Sequence, residues 1–326
     1  MKKKFSFLFV IIGFLGINLL FNYQYYWRQL ISDDSTIGAV HGEVQATEWG
    51  MEQVYQKIIS FQNPFSPIKN YLYPFGLDIA ASDPGAGFFF IFFRPFLSPH
   101  QSLAMTVVIN LFLANLGMFF LLKKLGFSTL ISFLIGLSYG YTTALMPRIG
   151  GHPTYTSIYL FPWFFLCVYS LFLGNKSKIK VLSSLGIPFF FVLTLWQNFY
   201  FFVILLLSCL SLLMYLFFRR RDLLFKNIRS NWIYLFIIFL MLLLFLYPWF
   251  TALYEVFLFE EAPKTTGWLG ANTIFASDLF GFFVPSGYNY YYGQLISPII
   301  DRIPFAQGIF ENFTYLCSRV FEFENF

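Results

Sequence analysis

Residues 181–218 read VLSSLGIPFFFVLTLWQNFYFFVILLLSCLSLLMYLFF. The run carries no Asp, Glu, Lys or Arg. At 1.5 Å per residue a single helix over it would be about twice the ~30 Å thickness of a bilayer core. It must therefore fold back on itself, and its one strongly polar pair, Gln197-Asn198, is the natural place to turn. Other apolar runs of spanning length lie at about 5–22, 102–122, 127–147, 153–173 and 232–251. With the two halves of the hairpin, 181–198 and 199–218, the sequence predicts an all-α integral membrane protein of about seven transmembrane helices.

The composition agrees. Hydrophobic residues make up 58% of the 326 and charged residues 11%, whereas soluble proteins carry about a quarter charged. The net charge of +5 reads as topology and not as a nucleic-acid surface, because the bases sit in short connections between apolar runs. If the amino terminus is cytoplasmic, the inner segments hold Lys2, Lys3, Lys4, Lys123, Lys124, Lys176, Lys178, Lys180, Arg219, Arg220, Arg221, Lys226 and Arg229, and of the acids only Asp222. An error of one span would scramble this separation, so a multi-pass protein of the cytoplasmic membrane is expected. Met1-Lys2-Lys3-Lys4 and the apolar run after it resemble a signal peptide, but Phe21-Asn22-Tyr23-Gln24-Tyr25 offers no small-x-small cleavage site. The reading is an uncleaved first span. Cys167, Cys209 and Cys317 fit neither a zinc site nor a disulfide framework and are read as packing residues.

Two outer segments are too long to be simple connections: about 23–101, within a transmembrane module of residues 1–251, and 252–326. Both are rich in Tyr, Trp, Phe and Pro, unlike disordered segments. In the first, Thr47 to Phe61 is predicted as an amphipathic helix with Trp49, Val54, Ile58 and Phe61 on one face and Glu52, Gln53 and Lys57 opposite, lying at the membrane surface. A break follows at Gln62-Asn63-Pro64-Phe65, and a turn at Tyr71-Leu72-Tyr73-Pro74-Phe75-Gly76. Residues 86–97 suit a short helix dipping into the outer leaflet. In the second segment, Ala276 to Val284 reads as interfacial. Phe310 to Leu316 looks like the approach to a further span, so the chain is expected to be truncated or a fragment.

The spans hold no charge, which argues against a proton pump, a voltage sensor or carboxylate-based ion coupling. Any chemistry belongs at the outer surface. Glu43 follows the first span and could act as general base on an acceptor hydroxyl; an acid there also suits the first turn of a helix. His41 and Glu48 are weaker candidates nearby. Asp33 and Asp34 could ligate a divalent cation or simply form a solvated turn. Arg148 and His152, in the connection between the third and fourth spans, could bind a lipid phosphate or anchor the helices at the headgroups. Arg94, in the dipping segment, could also face a phosphate. Gln197, Asn198 and Glu255 lie near the same rim. Gly136-Leu137-Ser138-Tyr139-Gly140 has the small-xxx-small spacing of close helix packing. The aromatic run Tyr288 to Tyr292 is read as an interfacial belt in preference to a sugar-stacking surface.

The order of these features carries a resemblance. Gly42-Glu43, Trp49, Asn63-Pro64-Phe65, Tyr73-Pro74-Phe75-Gly76, Gly151-His152, Asp278-Leu279, Pro285, Glu311 and Tyr315-Leu316 together resemble the GT-C superfamily of membrane glycosyltransferases, within a large prokaryotic group of it. The likeness runs across most of residues 1–316; each motif is short, and their order and spacing make the case. It implies a seven-span module with interfacial helices in the first outer loop. It also implies a polyprenyl-phosphate-linked sugar as donor, transferred at the outer face to a lipid, glycan or protein. The catalytic acid of the first loop is usually Asp in that superfamily; here Glu43 holds the place, with a divalent cation as a possible helper. Members normally carry further spans and often a terminal outer domain. The other readings of the sequence are a flippase or transporter of lipid-linked saccharide, which should show broken or polar helices near the midplane, and a non-catalytic envelope protein.

Overall fold

The computed structural model describes residues 2–22, 43–66, 68–71, 77–79, 87–142, 153–174 and 176–258. Apart from Thr142 they belong to one compact unit formed by residues 1–141 and 148–260. The helices in chain order are α1 (Lys2–Asn22), α2 (Glu43–Ile59), α3 (Phe88–Phe93), α4 (Pro99–Lys124), α5 (Thr129–Gly140), α6 (Leu160–Leu173), α7 (Ser177–Gln197), α8 (Phe199–Arg219), α9 (Arg221–Ser230) and α10 (Trp232–Leu258). A 3-10 turn, Pro153–Tyr159, leads into α6. Two short strands, β1 (Ile68–Tyr71) and β2 (Leu77–Ile79), pair antiparallel with Tyr71 opposite Leu77. The turn expected over Tyr71 to Gly76 lies, beyond Tyr71, outside the described residues.

Among the described residues five helical segments are long and apolar enough to cross a membrane: α4, the 3-10 turn continued by α6, α7, α8, and the Trp232–Thr251 part of α10. The chain is a multi-pass, predominantly helical membrane protein. The other two expected spans coincide with shorter apolar runs, Leu8–Leu20 of α1 and Thr129–Gly140 of α5. The latter is 12 residues, a rise of only ~18 Å. It covers 129–140 of the expected span 127–147, and residues 143–152 lie outside those described.

Local chemistry sets the helix ends. Ser98 caps α4: its hydroxyl accepts from the Gln101 amide at 3.3 Å and the Gln101 side chain accepts from the Ser98 amide at 3.2 Å, with Pro99 as the first helical residue. This is a capping box on a proline-started helix. At the other end Lys123 and Lys124 face the negative end of the helix dipole, and Gly126 turns the chain at φ 95°. The hairpin falls where the polar pair predicted it. Gln197 ends α7, and the Asn198 side chain accepts from the Phe201 amide at 3.2 Å to start α8.

α4 forms the centre. Its antiparallel neighbour α1 lays Val10 and Phe14 against Phe119 and reaches the Val108 carbonyl with the Asn18 amide at 3.0 Å. The start of α1 therefore shares one end of the bundle with Lys123 and Lys124. The 3-10 turn and α6 run parallel to α4, with Thr156 beside Asn110 and Trp163 beside Phe120, so Lys176, Lys178 and Lys180 at the start of α7 lie at that end too. α8, returning after the Gln197-Asn198 turn, brings Arg219 back to it. We call this the basic end. Residues 219–231, expected only as a connection, contain α9, whose Arg221, Lys226 and Arg229 add to the same end. On another face of α4, a Cβ on Gly140 of α5 would stand 1.8 Å from Asn115 Oδ1, and one on Gly136 2.8 Å from the Asn115 carbonyl oxygen. The small-xxx-small spacing is thus a helix contact, as expected.

One expectation is corrected. The helix expected over Thr47 to Phe61 is α2, which starts earlier, at Glu43, and buries Val44, Met51 and Val54. Trp49 is partly exposed, and Phe61 lies beyond the helix at φ 55° with its side chain 99% exposed. Positions 44, 51 and 54 share one stripe at 3.6 residues per turn, whereas 49 falls off it and 61 lies past the end of the helix. That stripe packs on protein, against α3, α4 and the 3-10 turn. The short helix expected within 86–97 is α3, six residues long; it buries Phe90, and Phe96 beyond its end is exposed.

Candidate functional site

The end of the bundle opposite the basic end holds two layers of polar side chains. The first is charged. Glu48 and Glu52 lie four residues apart on α2, so both project to one side. Arg94, just after α3, meets Glu52 through Nε to Oε2 at 2.6 Å and Nη2 to Oε1 at 3.3 Å, and donates from Nη1 to the Leu97 carbonyl at 3.1 Å. Its guanidinium also lies 5.7 Å from the Tyr55 ring centre. His100, the second residue of α4, pairs through Nδ1 with Glu48. Burial raises the Glu48 carboxyl above its usual range, opposed by the pairing with His100 and aided by the like charge of Glu52. These two pairs fix α2 to the segment that begins α4.

The second layer is neutral and lies deeper. Asn110 is ten residues beyond His100 on α4, ~15 Å along the axis. Its amide donates to Thr156 Oγ1 at 3.0 Å, and the Gln197 amide donates to Tyr159 Oη at 3.0 Å. Thr156 and Tyr159 are three residues apart on a 3-10 turn, where such side chains eclipse, so the two bonds join one seam between α4, the turn and α7. Asn110, Thr156, Tyr159 and Gln197 are each at most 4% exposed. Yet Asn110 Oδ1, Gln197 Oε1 and the indole nitrogen of Trp196 are buried with no hydrogen-bond partner among the described residues. Over the seam lies the turn at Asn63. The Asn63 side chain accepts from the Phe65 amide at 3.0 Å and donates to the Pro248 carbonyl of α10 at 3.0 Å. This sets the Phe65 ring 4.8 Å from that of Trp196. The sequence motif Asn63-Pro64-Phe65 is therefore a clasp between the loop and two helices.

With this architecture in place, the chain can be set beside known proteins. A family model described as Domain of unknown function (DUF6311) matches residues 20–317. The chain belongs to the DUF6311 family. No curated protein and no solved structure matches it.

The match to DUF6311 runs from within α1 past the end of α10 and so covers both layers. Of the residues singled out in this DUF6311 chain, Glu43 is the first residue of α2 and Glu255 lies near the end of α10; their side chains are outside the described set. Asp33, Asp34, His41, Arg148 and His152 lie outside the described residues altogether. Arg94 and Glu48 come together in the charged layer, but Arg94 is held by a carboxylate where a phosphate was expected. Gln197 is part of the neutral seam, and Asn198 is a helix cap. Among the described residues no group of three His, Cys, Asp or Glu is placed to hold a metal ion. Sequence reasoning missed His100, Asn110, Thr156, Tyr159 and Trp196. A signal for His100 was present: two acids four apart on a helix, and two cations six apart around the Ser98-Pro99 helix start.

Proposed function

We propose that this DUF6311 protein is a seven-span glycosyltransferase of the cytoplasmic membrane, GT-C-like in architecture. It would transfer a sugar from a polyprenyl-phosphate donor to a lipid, glycan or protein acceptor at the outer face. The observation that carries the reading is the setting of Glu43. It opens a helix whose next residue, Val44, is 2% exposed, and that helix is tied to α3 and α4 through Glu52–Arg94 and Glu48–His100. The first residue of a docked helix has its backbone position fixed better than one on a free loop, and general-base catalysis requires a fixed position. The gathering of bases at the other end of the bundle supports a cytoplasmic amino terminus by the positive-inside rule, and so an outward-facing Glu43.

In the reaction, the Glu43 carboxylate takes the proton of an acceptor hydroxyl. The freed oxygen bonds to the anomeric carbon, the bond from that carbon to the phosphate oxygen breaks, and the lipid phosphate leaves with the electron pair. Attack opposite to departure inverts the anomeric configuration. Arg148 and protonated His152 would meet the charge of the departing phosphate. Arg94 could join them only by releasing Glu52.

The test is to supply purified protein with polyprenyl-phosphate sugars and compare wild type with Glu43→Ala. Loss of a general base is expected to slow transfer by about 10²–10⁴-fold. Equal turnover in the two would remove Glu43 from the mechanism.

A further inference from the structure

We propose that α9 is an in-plane helix that docks on anionic phospholipid headgroups of the leaflet at the basic end. Its backbone sets it apart from the spans on either side. The chain leaves helical geometry at Arg220 (φ −141°, ψ 42°) before α9 and at Asn231 (φ −117°, ψ 17°) after it. Both ends of α9 stand level with the first turn of α7. Arg219 returns there because α7 and α8 are each 21 residues long on either side of the Asn198 turn. Asn231 is held there by Lys180, whose Nζ donates to Asn231 Oδ1 at 2.8 Å, and the Ser177 and Tyr234 hydroxyls lie 3.3 Å apart. A straight helix between two points at one level runs across the end of a bundle and not along it. α8 rises ~30 Å, the thickness of a bilayer core, so this level is that of the headgroups.

The side chains suit that place. Leu224, Phe225 and Ile228 fall on one face of α9, and Lys226 and Arg229 on another. No residue of α9 is buried in protein, and Phe225 and Ile228 are half exposed. Phe217 and Phe218 before it and Trp232 and Ile233 after it are exposed as well. Almost no residue in the spanning stretch of α8, and none in that of α10, is buried, so lipid lies against both spans that flank the helix. An amphipathic helix so placed sinks its apolar face to the boundary between headgroups and acyl chains. Charge then selects the lipid. Residues 219–231 hold Arg219, Arg220, Arg221, Lys226 and Arg229 against the single acid Asp222. Among the described residues the ion pairs are Arg94–Glu52 and His100–Glu48, so no carboxylate neutralises these five. The Arg221 guanidinium lies 5.7 Å from the Phe217 ring centre and 5.6 Å from that of Phe225. Stacking of this kind leaves its N–H groups for phosphate oxygens. A zwitterionic lipid brings no net charge to balance the excess of cations; an anionic one does. Such docking is independent of any sugar transfer.

The test follows amide hydrogen exchange of residues 221–230 in the full chain, in nanodiscs of phosphatidylcholine alone and of phosphatidylcholine with phosphatidylglycerol. The anionic lipid should slow exchange of α9 in the wild type by about tenfold and leave α2, at the opposite end, unchanged. The double variant Lys226→Gln, Arg229→Gln should lose most of that slowing. Salt at about 1 M, which cuts the screening length to ~3 Å, should abolish it in the wild type; this arm needs no substitution and serves should the variant fold poorly. Equal exchange of α9 in the two bilayers overturns the proposal. So does slowing in the double variant as large as in the wild type, or slowing that extends equally to α2. Soluble polyglutamate, added to the phosphatidylcholine discs, stands in for an acidic protein partner. Slowing by it as large as that from phosphatidylglycerol overturns lipid docking in favour of such a partner.

Discussion

α4 and α10 are nearly equal in length, 26 and 27 residues, and both are apolar enough to span a bilayer, yet they sit in opposite surroundings. Over half of the spanning stretch of α4 is buried inside the protein, and none of that of α10 is. The composition of the buried faces explains this. α4 places Ser102, Ala104, Thr106, Asn110, Ala114, Asn115 and Gly117 toward its neighbours. Small residues let backbones approach, and polar ones bond across helices. At Gly117 an added Cβ would stand 2.7 Å from the Trp163 indole nitrogen, which donates to the Leu113 carbonyl at 3.0 Å. From Trp232 to Tyr247, α10 has no Gly, Ala, Ser or Thr. It turns Phe236, Phe239, Leu243 and Leu244 outward, as a helix facing lipid tails should. The buried face of α4 mixes small and polar residues with Leu103, Leu111 and Phe119, whereas the exposed face of α10 is large and apolar throughout; what separates the two helices is the small and polar residues, not the large ones.

Substitutions can break or sharpen this contrast. The largest effect is expected at the α4–α5 contact. Gly140→Ala drives a Cβ into Asn115 Oδ1, and overpacking of this kind costs about 1–3 kcal/mol. Reversible unfolding in bicelles should show the loss, and Asn115→Ala in the same chain should recover part of it; a Gly140→Ala protein as stable as wild type would mean that α5 does not rest on α4. Next in size is Glu52→Ala. The Arg94 and Glu52 side chains are 26% and 20% exposed, so solvent screens the pair, and we expect a loss of about 1 kcal/mol. Faster amide hydrogen exchange along α2 is the readout, and unchanged exchange would show that the apolar stripe alone holds the helix. The smallest change belongs to α10. Leu244→Ala, at a side chain 62% exposed, should shift stability by less than about 0.5 kcal/mol. A loss comparable to that of Gly140→Ala would show that α10 has a protein neighbour on that face.

Much of the architecture was legible in the chain. The fold-back at Gln197-Asn198 followed from length alone, since no single helix of 181–218 fits a bilayer. The contact made by Gly136 and Gly140 followed from their spacing. Less of the site could be read. Arg94 looked like a free cation on a hydrophobic segment because its partner, Glu52, is 42 residues away in sequence. Asn110 and Gln197 looked like isolated polar residues because Thr156 and Tyr159, which join them, sit on a turn that hydropathy reads as the edge of a span.

By itself the sequence determined that the chain threads a membrane repeatedly, where its hairpin turns, and how its bases divide from its acids. Those follow from transfer free energies and segment lengths, which are properties of local stretches. Only the tertiary structure decided which helix is central and which face of α2 is buried. It alone decided that Arg94 answers to Glu52 and that Asn110 and Gln197 meet Thr156 and Tyr159 on one turn. The physical reason is that lipid and protein interior are equally apolar. Hydropathy registers departure from water, while the choice between lipid and protein depends on shape and on hydrogen-bond partners distant in the chain.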